Sequence, residues 1–230
     1  MSVRFESASR IAPRTLARIA GVLYLSVAVL TIFAGVVNTL IVKSGNAAAT
    51  AADIGTSASL FRAGMVSELA GATAFLATSM ALYLLLRHVD QMAAAAMVVL
   101  VAVSVAIQSL SLLNQNAALL IATGQYAFSS TDSDQLTMLF ADLQHNGYLI
   151  AQTFFGLWLL PLGYLVLKSG YFPKALGILL VLGCFGHVAD VFSRLLAPDF
   201  GAFISPFVLA VAAVAELSFI VWLLVKGIRA

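Results

Sequence analysis

Six stretches of this sequence stay apolar for long enough to cross a bilayer, and that constraint leaves few folds open. They run over about 17–42, 62–87, 92–121, 145–168, 173–196 and 203–226. Each meets or nearly meets the ~20 residues that roughly 30 Å of hydrocarbon demands at about 1.5 Å of rise per residue. None shows the period-2 alternation of a barrel strand, so the spans are read as helices, which satisfy their own backbone groups in lipid. The predicted fold is all-α: a polytopic membrane protein with six transmembrane helices.

Composition closes the alternatives. Only 10% of residues are charged and 62% are hydrophobic, whereas a soluble domain carries about 25% charge. So little charge cannot cover a water-facing surface, and most of the chain must face membrane lipids or other helices. The net charge is +2 without a basic patch interleaved with aromatics, so nucleic acid is not an expected partner. The single cysteine, Cys184, lies inside an apolar run and can form no internal disulfide. The first apolar run far exceeds the roughly 7–15 residues of a signal-peptide core and is read as a retained span.

Lysine and arginine orient the bundle. With the N-terminus in the cytoplasm, the inner side collects Arg4, Arg10, Arg14, Arg18, Arg87, Lys168, Lys174, Lys226 and Arg229, and the outer side only Lys43, Arg62 and Arg194. This positive-inside bias places both termini in the cytoplasm. The expected domains are a cytoplasmic segment 1–16, one six-helix domain 17–226 and a cytoplasmic tail 227–230. Two long loops then face outward. Residues 43–57 are small and polar and are expected to be mobile. Residues 123–141 lead into DQLTMLFADL at 134–143, with an apolar stripe at Leu136, Leu139, Phe140 and Leu143. This predicts a short interfacial helix in the loop between spans three and four, capped by Ser133 or Asp132. No internal repeat of an inverted transporter is present. On span two, Ser67, Gly71, Ala74 and Thr78 form a small-residue stripe that admits a close neighbour or partner.

Between spans four and five, Lys168-Ser169-Gly170-Tyr171-Phe172-Pro173-Lys174 reads as a tight turn. Gly170 suits a left-handed helix end, and Pro173 suits the start of the next helix. Pro161 and Pro206 are expected to bend spans four and six.

Threading the spans in alternation places Asn38, Glu68, Asn114, Gln115, Asp142, His145, Gln152, His187, Asp190 and Arg194 in the outer half of the membrane. Ionisable groups at such depth face a bundle interior or wet cavity, so they are functional candidates. His187, Asp190 and Arg194 stand three and four apart, on one helical face, and Asp142, His145 and Gln152 share another. Ser104, Gln108, Ser111 and Gln115 make a third polar stripe. Asp190 can accept from His187 and pair with Arg194. These positions predict an outward-facing polar cavity binding a small polar or amphipathic, lipid-derived ligand. Its contacts are expected from His145, Asp190, Arg194, Glu68, Asn114 and Gln152. Asp190–Arg194 as a plain structural ion pair remains an alternative.

Other readings stay open. His145 and His187 with a carboxylate from Glu68, Asp142 or Asp190 would make a zinc-type ligand set for an intramembrane hydrolase. No cofactor is otherwise expected, and no catalytic residue is named. A structural or regulatory subunit, or a homo-oligomer, is the remaining class. Glu216 is about 15 Å from Lys226 and near mid-membrane. Without a cation at its depth it should be protonated or hydrogen-bonded to a neighbour such as Gln108, and it is the candidate for proton coupling.

ARIAGVLYL at 17–25, LQHNGYLIAQTFFGLWLLPLGYLVLKSGYFPKALGILLVLG at 143–183, Asp190 ahead of LLAP at 195–198, and AELSFIVWLLVKG at 215–227 resemble a bacterial membrane family, domain of unknown function 4386. The resemblance implies a six-span protein of the bacterial inner (plasma) membrane and carries over no activity. Its pattern has matches for His145, Asp190 and Glu216. At His187 it more often has Tyr, which counts against a mechanism needing both histidines.

Overall fold

The computed structural model describes residues 12–126 and 128–229; Arg4 and Arg10 lie outside them. These residues form eight helices: α1 (Pro13–Ile41), α2 (Ala47–Thr56), α3 (Ala58–Leu86), α4 (Gln91–Ala122), α5 (Ser130–Leu157), α6 (Leu159–Lys168), α7 (Lys174–Leu196) and α8 (Pro198–Val225). No strand occurs among them. Six helical runs are long and apolar enough to cross a membrane, with α5 and α6 counting as one run, Ser130–Lys168. The chain is a multi-pass membrane protein.

The spans close into a ring in chain order. α1 packs on α3, α3 on α4, α4 on α5, α5 and α6 on α7, α7 on α8, and α8 returns to α1. The small-residue stripe of α3 is the α1 contact. Ser67 Oγ donates to the Leu30 carbonyl at 3.0 Å, and a Cβ on Gly71 would stand 3.4 Å from the Leu30 Cβ. Helices in lipid associate through such close packing, because lipid supplies no hydrophobic drive between them.

We call the two ends of the ring basal and distal. The basal end holds the α3–α4 and α6–α7 turns and both ends of the described chain. There Arg229 N donates to the Tyr171 carbonyl at 2.9 Å, and the His88 and Tyr171 rings lie 5.1 Å apart. The α6–α7 turn follows its sequence: Gly170 has φ of +70°, and Pro173 sits just ahead of the first residue of α7.

Three sequence expectations are corrected at the distal end and in the bends. Residues 43–57 are not a mobile loop; most of them are α2, capped by Asn46 accepting from Ala49 N at 3.0 Å. Thr50 is fully buried and locks both backbone groups of Lys43, at 2.9 and 3.2 Å. The helix expected within 123–141 starts at Ser130 and is continuous with the span. Its cap is Ser129, which accepts from Asp132 N, rather than Ser133 or Asp132. Finally, Pro161 does coincide with a helix interruption, at Trp158 between α5 and α6, whereas Pro206 sits inside an unbroken α8. The missing Pro161 N–H removes one bond of the ladder just where the helix breaks.

Packing divides the ring into layers. A large basal apolar cluster holds Tyr24, Phe75, Val101, Trp158, Leu162, Leu180 and Phe219. A smaller distal cluster gathers Val37, Ile41, Ile54, Phe61, Ala118 and Leu119, with α2 supplying Ile54. Polar side chains lie between the two. On α3, Glu68 falls between Phe61 and Phe75; on α4, Gln108, Ser111 and Gln115 fall between Val101 and Ala118.

Candidate functional site

The polar layer is hollow. A distal cavity of about 290 Å³ is walled by Asn38, Gln115, Asp142, Gln144 and His145 along with apolar Val42 and Phe61. A second, of about 250 Å³, shares Asn38, Gln144 and His145 with it and adds Thr31, Gly35, Glu68 and Tyr148. A third, of about 180 Å³, shares Tyr148 with the second and reaches Gln108, Gln152, Phe155 and His187. The shared walls arrange the three in series from the distal end toward mid-bundle.

Glu68 is the buried carboxyl group of the middle cavity. It is 5% exposed, and its side-chain partner is the Gln144 amide at 3.4–3.5 Å. Among the described residues it forms no ion pair. A carboxylate removed from water is costly without compensation, so this one needs a donor from a proton, water or a bound molecule. Next to it, Gln115 donates to Asn38 Oδ1 at 2.8 Å, while its own Oε1 is buried without a partner.

Sharing Gln152 and His187 with the third cavity, a chain of hydrogen bonds runs from helix to helix. Arg194 Nε donates to Asp190 Oδ1 at 3.0 Å, and Arg194 also donates to Ser205 Oγ at 2.6 Å. Gln152 Nε2 donates to Asp190 Oδ2 at 2.9 Å and lies 3.5 Å from His187 Nδ1. His187 Nε2 stands 3.0 Å from Glu216 Oε1, and the Tyr24 hydroxyl donates to the other Glu216 oxygen. The chain thus links α8, α7, α5 and α1 and ends on Trp158, whose ring meets Tyr24 edge-on at 5.5 Å. Gly156 makes room for it: a Cβ there would stand 2.5 Å from the His187 Cβ.

Residues 19–227 match the family described as Domain of unknown function (DUF4386). The chain belongs to this family. An uncharacterized protein of Archaeoglobus fulgidus is 37% identical over 76 residues, which make up 32% of this chain and 42% of that relative. The chain therefore aligns with less than half of that relative's length. No solved structure matches the chain.

Within this family member, the residues singled out from the sequence separate into groups. Glu68 and His145 meet at the middle cavity, and Gln152 lines the third. Asp190 and Arg194 line none of these cavities; they clasp one another and Ser205, joining the end of α7 to α8. Asp190 does not accept from His187, since Gln152 bridges the two. Asn114 is half-buried, has no side-chain hydrogen bond, and leaves its expected place to Gln115. The metal set is not assembled. His145 opens on the distal cavities while His187 is engaged by Glu216, and no three His, Cys, Asp or Glu among the described residues gather as a metal would require.

Glu216 also departs from expectation. Its partners are His187 and Tyr24, not Gln108, and so a residue able to carry positive charge does stand at its depth. Tyr24, Gln144 and Tyr148 were not marked by the sequence reading. Tyrosine and glutamine in an apolar run are ordinary core and helix-contact residues, and only the three-dimensional arrangement separates them from that background.

Proposed function

We propose that this protein binds a small polar or amphipathic ligand, lipid-derived in the amphipathic case, in the serial cavities of its distal half. Its setting is a bacterial inner membrane, with both termini cytoplasmic and the distal end facing outward. The first turns of α5 then lie at the outer interface beside α2. The lysine and arginine distribution supports this orientation: Arg14, Arg18, Arg87, Lys168, Lys174, Lys226 and Arg229 collect at the basal end, as the positive-inside rule requires.

One observation carries the binding reading. Glu68 is held in a cavity of about 250 Å³ with one long amide contact and no counter-ion. Asp190, by contrast, has a full set of protein partners, the Arg194 guanidinium and the Gln152 amide. The walls set the polar groups of Asn38, Glu68, Gln144 and His145 beside apolar surface from Ala34, Val42 and Phe61, a mixture that suits a small polar or amphipathic molecule.

Native mass spectrometry of protein extracted in mild detergent tests this. The expected result is one small molecule retained per chain and lost from a His145→Ala, Glu68→Gln double variant. Retention of bulk phospholipid alone, equal in both proteins, contradicts the reading.

A further inference from the structure

The walls of the middle cavity define the chemistry of an occupant more narrowly than polarity does. We propose that the site takes a primary ammonium group, carried on a small or amphipathic carbon frame; this rests on the ligand-binding reading above. Most of the unmet groups are acceptors, beside the His145 ring and the Tyr148 hydroxyl, which can also donate. Glu68 presents a carboxylate whose two oxygens share one amide donor at 3.4–3.5 Å. Gln115, whose Oε1 is buried without a donor, belongs to the wall of the adjoining distal cavity. Asp142 adds a second carboxylate at the distal mouth, and Tyr148, whose hydroxyl makes no hydrogen bond to the described protein, stands between the middle and third cavities.

Two of the distal cations are committed elsewhere. Arg194 is held by Asp190 and Ser205, and Lys43 is directed to the Leu40 carbonyl and Asp53. An anion entering here would meet the carboxylates of Glu68 and Asp142, with His145 as the one wall side chain able to carry positive charge. A neutral alcohol brings one donor and no charge to set against the carboxyl of Glu68. A primary ammonium supplies three donors and no acceptor, together with the opposite charge. A quaternary ammonium supplies charge without donors, and the middle cavity offers one aromatic ring, Tyr148, rather than a cage. The carbon frame has its own place beside Ala34, Gly35, Val42 and Phe61. α1 and α5 face each other across this space and are not packed neighbours, which leaves the frame an exit.

The test uses the full chain in nanodiscs with hexylamine, hexanol, hexanoate and hexyltrimethylammonium as probes, read by ligand-induced shifts in thermal unfolding. Hexylamine is expected to bind most tightly and hexanoate not at all. Glu68→Gln, which keeps the side-chain shape, is expected to weaken hexylamine about ten- to a hundredfold, the worth of a charge-assisted hydrogen bond. Tyr148→Phe is expected to weaken it about two- to tenfold, without loss of the folded protein in either variant. Equal binding of hexanol, or of the trimethylammonium probe, overturns the ammonium assignment. So does hexylamine binding that Glu68→Gln leaves unchanged. Co-purification of a neutral or anionic molecule with no hexylamine binding overturns it while leaving the ligand-binding reading intact. If no probe binds and nothing co-purifies, both readings fall together.

Discussion

Replacing Glu216 by Leu should destabilise the bundle far more than an exchange of one side chain for another of similar size. The carboxylate accepts from Tyr24 on α1 and faces His187 on α7, so its loss strands two polar groups on other helices. Side-chain exposure is 10% at His187 and 13% at Glu216, which gives water little chance to take over. Leaving a buried donor or acceptor unmet costs about 1–3 kcal/mol each, or about 4 kcal/mol for the two together. At about 2–4 °C per kcal/mol for a chain of this size, the unfolding midpoint should fall by about 8–16 °C. His187→Phe should also destabilise, because it leaves Glu216 with Tyr24 alone. The double variant His187→Phe, Glu216→Leu removes both members, so its loss should fall short of the sum of the single losses by at least about 1 kcal/mol. Tryptophan fluorescence during thermal unfolding in detergent provides the assay, since Trp158 meets Tyr24 edge-on. Additivity within about 0.5 kcal/mol would show that the two residues do not act as a pair and refute the reasoning.

Other contacts make their own predictions. Gly156→Ala should cost about 1–3 kcal/mol by forcing α5 away from His187, whereas Gly35→Ala, whose Cβ meets nothing within 4 Å, should be neutral or stabilising by up to about 1 kcal/mol through helix propensity; unfolding midpoints compare them. Asp190→Ala should cost about 3 kcal/mol by leaving Arg194 unpaired at the α7–α8 junction, and Asp190→Asn should cost less, because it keeps an oxygen for Gln152 and Arg194. A cysteine at Ser44, which is exposed at the distal end, should react with a membrane-impermeant thiol reagent applied to intact cells. One at Lys168, exposed at the basal end, should react only after permeabilisation. The native Cys184 is buried and should give little background.

Much of the fold was legible because lipid makes its demands on long continuous segments. All six predicted spans overlap the observed helices, and the predicted 92–121 differs from α4 by a single residue at each end. What escaped were features decided by local capping or by tertiary contact. α2 is short and built largely of alanine, so its apolar face of Thr50, Ala51 and Ile54 gave a weak periodic signal, although Asn46 ahead of the alanines was a usable start mark. The pairing of Glu216 with His187 was hidden by coarse depth assignment. Counted upward from the basal lysines, His187 is thirteen residues from Lys174 and Glu216 ten from Lys226, or about 20 and 15 Å. Side chains span that difference easily. Tyr24 lies ten residues above Arg14, at the same depth as Glu216, so the triad was open to the same arithmetic. No arithmetic on depth, however, reveals which helices adjoin. The closed ring decides that Glu68 faces Gln144 and that Asp190 is tied to Arg194 and Gln152 outside the cavity walls.

The account stands on Glu68 being left without a counter-ion because a bound molecule supplies one. The most direct measurement is a high-resolution cryo-electron microscopy map of the protein extracted from native membranes. It should show non-protein density within hydrogen-bond distance of the Glu68 carboxylate, extending between Asn38, His145 and Tyr148. A well-resolved cavity that contains only water there, or a Glu68 side chain turned onto a protein cation, would contradict the central claim.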